Sequence, residues 1–114
     1  MKTLREVVVA AFGIATGAHV LAADDAGAQH GHDVFQKWCA PCHAPTPNHP
    51  GTDALALKYN GGKPAALEQR TDLSADEVRK YVRHGVSIMP FFRKTEISDA
   101  DLDALAAYLA GGKQ

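Results

Sequence analysis

The sequence predicts an all-α fold with three to five short helices, and three observations support this prediction. Ser74 and Glu77 bracket a capping box, the pattern that starts a helix. Apolar residues recur at helical spacing between Leu102 and Leu109 and form one stripe. No run of alternating apolar and polar residues, which would indicate a strand, occurs at any length.

The amino-terminal residues have the features of a secretory signal peptide. Lys2 and Arg5 precede an apolar run from Val7 to Ala18, which is too short to span a bilayer. Small residues around Ala22 offer a cleavage site. We expect residues 1–22 to be a signal peptide and residues 23–114 to form one exported, periplasmic domain with no membrane span; an uncleaved anchor is the alternative.

Length and charge limit the possible functions. The 114 residues carry 12 Lys and Arg against 13 Asp and Glu. Removing Lys2, Arg5 and Glu6 with the signal leaves 10 against 12, a mild negative charge of −2. No basic stripe is present, so nucleic-acid binding is not expected.

The first helix is expected to begin near Gly31 or His32, after a frayed segment of residues 23–29. It should loosen through Pro41 and end near His43, because two prolines follow closely.

Residues 44–64 hold many prolines and glycines and predict a loop with one short helical turn at residues 54–59. A second short helix is expected at residues 64–69. The third follows Ser74 and stops at Gly85, and the last begins near Ser98 and stops at Gly111. The stretch between them, residues 86–92, reads as a loop.

The run Cys39-Ala40-Pro41-Cys42-His43 carries the functional prediction. In an exported protein, Cys-x-x-Cys-His is typical of a covalent haem attachment site, in which both thiols form thioethers and the adjacent histidine reaches the iron. We therefore expect one haem c bound through Cys39, Cys42 and His43.

Three other interpretations of this run remain open. A thioredoxin-like redox pair would need a βαβ context, which the sequence lacks. A structural zinc site needs more ligands than two cysteines and one histidine. A disulfide between Cys39 and Cys42 would close a very short loop and stabilise little.

Met89 is the candidate for the second axial ligand. A methionine thioether raises the haem potential relative to a second histidine. Met89 is the one methionine left after signal removal, and Pro90 stiffens the loop that presents it. Met89 as ordinary core filling is the alternative, as is ligation by another histidine; the candidates are His30, His32, His49 and His84. An open sixth position would instead indicate a haem sensor.

His43 should donate its other ring nitrogen to a backbone carbonyl, which would fix the ring. Pro50 is the first candidate acceptor, and Pro47 and Gly51 are the others.

These residues together resemble the class I c-type cytochromes over essentially the whole mature chain. The resemblance implies a small helical fold around one haem and electron transfer without a catalytic site of its own. It also implies that the first and last helices cross through a small and an aromatic residue. The residues that match this crossing are Gly31, Phe35, Leu105 and Tyr108. One departure is His49-Pro50-Gly51, where the family often has Gly-Pro.

The loop from Arg83 to Phe92 is similar to that of a narrower group, the cytochrome subunits of flavocytochrome 4-alkylphenol hydroxylases. p-Cresol methylhydroxylase and eugenol hydroxylase are examples. This resemblance implies a flavoprotein subunit as electron donor and a downstream redox protein as acceptor. The alternatives are a free-standing carrier between a dehydrogenase and a terminal oxidase, and a thiol-redox or metal-binding module without haem.

Overall fold

The computed structural model describes residues 18–111, with side chains from residue 25 onward, and this part of the chain is helical. It contains no named strand, which confirms the all-α prediction. The expected signal peptide falls on residues outside the described range and on the start of the first helix. The helices are α1 (Ala18–Trp38), α2 (Ala40–His43), α3 (Pro50–Tyr59), the 3-10 helix Leu67–Gln69, α4 (Ala75–His84) and α5 (Asp99–Ala110).

Helix α1 begins well before the predicted start near Gly31. The prediction of a frayed segment at residues 23–29 was wrong, because alanine, the best helix former, is frequent here and offsets the cost of Gly27 and Gly31. The helix has 21 residues. No helix within residues 18–111 combines the length and hydropathy needed to cross a membrane.

The segment after the attachment motif is more helical than predicted. Helix α3 spans ten residues, because Pro50 occupies its first turn, where a missing N–H costs nothing, and His49 is the extended residue before it. The second short helix, predicted at residues 64–69, is reduced to the single 3-10 turn Leu67–Gln69.

The two carboxyl-terminal helices begin and end where predicted. Ser74 accepts a hydrogen bond from the Glu77 backbone N–H, and the Glu77 carboxylate accepts one from the Ser74 backbone N–H, so the capping box is complete. Ser98 caps α5 by accepting from the Asp101 backbone N–H at 3.1 Å. Gly85 follows α4 and Gly111 follows α5.

Helices α1 and α5 cross at Gly31, as the resemblance implied. A Cβ at Gly31 would clash with the backbone of Ala104 and lie 2.5 Å from the Tyr108 Cβ, so the two helices approach each other closely here. The Phe35 and Tyr108 rings are 6.3 Å apart. Phe35 and Leu105 have no exposed surface. The crossing therefore forms the centre of the core, onto which Val78 and Val82 of α4, and Ile97, also pack.

Candidate haem-binding site

The attachment motif lies where α1 ends and α2 begins. The backbone N–H of Cys39 still donates to Phe35 of α1, at 2.8 Å, and the N–H of His43 donates to the Cys39 carbonyl, at 2.8 Å. The helix is interrupted at Cys39 and not at Pro41, where loosening was predicted, because a proline is tolerated in the first turn of α2. This turn carries both thiols and the imidazole within five residues of a rigid helix end.

The two thiols differ in their surroundings, and neither is in a disulfide. Cys39 is buried in the core cluster and Cys42 is exposed. Burial, together with the nearby Cys42 and Glu68, raises the pKa of the Cys39 thiol to about 12. Cys39 is therefore protonated at neutral pH, which argues against a reactive redox thiolate. The described residues also contain no cluster of His, Cys, Asp and Glu suited to a metal ion, so a zinc site has no support there.

The ring of His43 is largely enclosed. Burial lowers the pKa of His43, which favours the neutral imidazole that binds metals. Its Nδ1 atom is buried and has no hydrogen-bond partner among the described residues. The expected hydrogen bond to a carbonyl of Pro50, Pro47 or Gly51 is therefore wrong for this structure, because backbone packing rather than an acceptor lies beside the ring.

The first turn of α3 packs against His43. A Cβ built on Gly51 would lie 2.6 Å from Cε1 and 2.8 Å from Nδ1 of the imidazole. The hydroxyl of the neighbouring Thr52, which is buried, donates to the carbonyl of Ala44 at 2.8 Å. The role of Thr52 was not predicted, and no local sequence pattern indicates it, because the contact depends on how α3 folds back on α2.

Met89 lies at the end of a tight turn that begins at Val86. The two residues exchange backbone hydrogen bonds of 3.1 and 2.9 Å, and Ser87 between them has a left-handed backbone, with φ 54°. Gly85 precedes the turn with φ 69°, and a Cβ there would lie 2.7 Å from the Met89 carbonyl oxygen. The glycine is therefore required both for its conformation and for space.

The carboxyl-terminal end of the Met89 loop is attached to α4 and to the end of α1. Phe92 donates its backbone N–H to the Val82 carbonyl of α4 at 2.8 Å, and its ring packs edge-on against Trp38 at 5.9 Å. Met89 is half-buried and packs against the same core cluster that contains Cys39. The Met89 side chain is thus held against the core by packing, while Ile88 and Phe91 on either side are exposed.

Two of the competing histidines have partners on the scaffold. The Nε2 atom of His30 lies 2.9 Å from Asp101 of α5, and the ring of His32 packs edge-on against Tyr108 at 5.7 Å. These contacts place both at the helix crossing. They favour structural roles over iron ligation.

The other two lie at helix ends. His49 directly precedes α3, and its Nδ1 lies 3.0 Å from the Thr46 carbonyl oxygen. His84 is exposed at the end of α4.

A cluster of polar side chains holds the loop between α3 and α4 together. Arg70 is buried; it binds both Asp72 oxygens at 2.8 Å and donates to the Tyr59 hydroxyl at 2.9 Å. Lys63 also binds Asp72 at 2.9 Å. Nearby, Tyr108 donates to Glu68 at 2.5 Å, so this loop is joined to α5.

The donor set fits a covalently bound haem. Two thiols outside any disulfide stand one turn apart, and a neutral and largely enclosed imidazole follows them. A thioether, that of Met89, packs against the core cluster. The Nδ1 atom of His43, which is not the nitrogen expected to bind iron, has no hydrogen-bond partner among the described residues. No described residue set fits the other interpretations equally well.

Comparisons with known proteins agree with this interpretation. Residues 26–109 match the family model described as cytochrome C oxidase, cbb3-type, subunit III. The chain is 28% identical over 103 residues to cytochrome c6 of Cyanidium caldarium, covering 90% of this chain and 85% of the relative. It is 30% identical over 80 residues to cytochrome c6 of Cyanidioschyzon merolae (strain NIES-3377 / 10D), covering 70% and 69%. No solved structure matches the chain significantly.

Proposed function

We propose that this chain, which belongs to the cytochrome c family and carries one covalently attached haem c, transfers single electrons through the site built around residues 39–43. Cys39 and Cys42 would form the two thioether bonds. His43 and Met89 would bind the iron. The observation that supports this proposal is that Cys39 and Cys42 lie outside any disulfide beside the largely enclosed His43, while Met89 packs against the core cluster that contains Cys39.

Bound haem supplies one-electron chemistry by changing between its ferric and ferrous states. The chain's own residues keep this change from disturbing the protein. Met89 is presented by a turn whose two backbone hydrogen bonds fix its conformation, and His43 is enclosed by α3. Ligands held in this way move little when the charge changes, and small movement favours fast electron transfer.

The ligand assignment is tested with Met89→Ala in the holoprotein, with Ile88→Ala as the matched control. We expect Met89→Ala to lose the low-spin absorption spectrum and to shift the midpoint potential, because the iron loses its sulfur ligand. Ile88→Ala changes an exposed side chain of the same loop and should retain both. An unchanged spectrum in Met89→Ala would show that another group binds the iron.

The electron donor that we propose is a flavoprotein subunit that oxidises a 4-alkylphenol, with a separate redox protein as acceptor. This proposal is supported by the similarity of the loop from Arg83 to Phe92 to the cytochromes of such hydroxylases. The exposed side chains of Ile88 and Phe91 beside Met89 offer an apolar docking surface. Co-purification with a flavoprotein, lost in Phe91→Ser, supports this role.

A free-standing carrier is the second candidate. The similarity to two proteins named cytochrome c6, which match over most of their length, favours it. A protein that purifies alone and exchanges electrons in solution with several redox proteins would favour this role over the subunit role.

We also propose that the protein is exported to the periplasm after removal of residues 1–22. The charged and apolar pattern from Lys2 to Ala22 supports this proposal. Mass spectrometry of the protein from the periplasmic fraction tests it, because cleavage after Ala22 gives a new amino terminus at Ala23. A mature protein that retains Met1 would contradict the proposal.

A further inference from the structure

We infer that Gly51 and Thr52, in the first turn of α3, are positioning residues that set the orientation of the His43 imidazole. This inference rests on the proposed function of His43 as an iron ligand. It gives α3 a role in holding the proposed iron ligand.

Gly51 is required for space and not for backbone conformation. Its φ lies outside the left-handed region, so any residue could adopt its backbone. A Cβ would nevertheless lie 2.6 Å from the His43 ring and 2.7 Å from the Cys42 carbonyl oxygen. Carbon atoms in contact lie about 3.5–4.0 Å apart, so either the ring or the motif backbone would have to move.

Thr52 holds the chain on the other side of His43. Its buried hydroxyl donates to the carbonyl of Ala44, the residue that directly follows the histidine. The N–H of Ala44 donates to Ala40 at 3.0 Å, which closes α2. The backbone on the carboxyl-terminal side of His43 is therefore tied both to its own helix and to α3.

Packing, and not a hydrogen bond, fixes the plane of the His43 ring in this inference. A histidine that binds a metal almost always donates its other ring nitrogen to an acceptor, which fixes the ring plane. The Nδ1 atom of His43 has no such partner among the described residues, and Gly51 lies against that edge of the ring. Contact with Gly51 therefore limits rotation of the imidazole, and the Thr52 hydrogen bond keeps α3 in place to provide this contact.

The test compares oxidised holoprotein carrying Gly51→Ala with the parent and with Gly27→Ala. Gly27 is the matched control, because its Cβ would meet nothing within 4 Å and its φ is ordinary. The two readouts are the paramagnetic NMR shifts of the His43 ring protons, which report the ring plane, and the midpoint potential. We expect Gly51→Ala to change both, and Gly27→Ala to change neither.

A second pair of variants covers the case in which Gly51→Ala gives no holoprotein. Thr52→Val removes the hydroxyl at nearly constant volume, and Thr52→Ser retains it. We expect a smaller displacement of the His43 resonances in Thr52→Val and their return to parental positions in Thr52→Ser. A merely structural role would lower stability in Thr52→Val without moving these resonances.

The possible outcomes separate this inference from the proposed function. Parental resonances and potential in Gly51→Ala would overturn the inference, as would parental values in Thr52→Val if Gly51→Ala gives no holoprotein. Either result leaves His43 as the ligand. A parent protein whose His43 ring protons show no iron-induced shift would overturn the ligand assignment itself, whatever the variants do.

Discussion

The helix crossing and the haem side of this protein are held together in different ways. At the crossing, Phe35 and Leu105 have no exposed surface, and Gly31 lets α1 and α5 approach to backbone contact. The haem side, which comprises α2, α3 and the loop from Gly85 to Phe92, is instead joined by single contacts, such as the hydrogen bonds from Thr52 to Ala44 and from Phe92 to Val82.

This difference indicates how much each region contributes to the free energy of unfolding. The crossing is a core made by the protein's own side chains, so its energy depends on packing. The haem side depends on turns, hydrogen bonds and glycine contacts, which would place the proposed ligands. A domain this small has limited core, so we expect the bound cofactor to supply much of the remaining stability.

The largest expected effect removes the two thiols. In Cys39→Ala/Cys42→Ala no thioether can form, so acidified organic solvent should extract all of the pigment from the denatured protein. Haem staining on a denaturing gel measures the same loss. The parent and Ser87→Ala, which changes the nearby loop without touching a thiol, should retain the stain. Pigment that remains attached in the double variant would refute covalent attachment at these cysteines.

The second prediction compares one leucine from each region. Leu105→Ala should lower the free energy of unfolding by about 2–5 kcal/mol, because it leaves a cavity at the crossing. Leu57→Ala changes a side chain of α3 that the protein's own residues leave 85% exposed, so its effect should be clearly smaller than that of Leu105→Ala. Chemical denaturation of the two holoproteins measures both. Similar losses in the two variants would show that the haem side is packed as firmly as the crossing.

The third prediction concerns the glycine that begins the Met89 loop. Gly85 has φ 69° and ψ 173°, a region almost restricted to glycine. Gly85→Ala should cost about 1–3 kcal/mol and alter the absorption spectrum, because its Cβ would also press on the Met89 carbonyl. Gly61→Ala is the control: it has φ 81° but meets nothing within 4 Å. It should lose stability with an unchanged spectrum. Identical spectra in both variants would contradict a role for Gly85 in placing Met89.

The smallest effect is a pH dependence of the loop between α3 and α4, which joins the two regions. Hydrogen bonds from Arg70 and Lys63 hold the pKa of Asp72 well below its usual value of 3.8. The ionised Asp72 therefore stabilises the fold at neutral pH, and this contribution is lost as the pH falls below about 4. Asp72→Asn should flatten the decline in stability in this acidic range. Unfolding curves that stay parallel for parent and variant between neutral and acidic pH would contradict this.

The local patterns in the sequence were sufficient for some elements. The capping box at Ser74 and the cap at Ser98 predicted where α4 and α5 begin, because these hydrogen bonds join residues only three positions apart. The early start of α1 and the extent of α3 were missed. The alanines in the first part of α1 favour a helix, and Pro50 is compatible with the first turn of α3.

The sequence by itself indicated the chemistry, because the types and spacing of Cys39, Cys42 and His43 are local facts, and Met89 is the proposed second ligand. The tertiary structure alone decided how those groups are held. Gly51 contacts His43 and Gly31 contacts Tyr108 through the folding of one helix onto another. A glycine has no side chain by which its neighbours could be predicted, so only the packed fold shows which atoms need the space that it leaves.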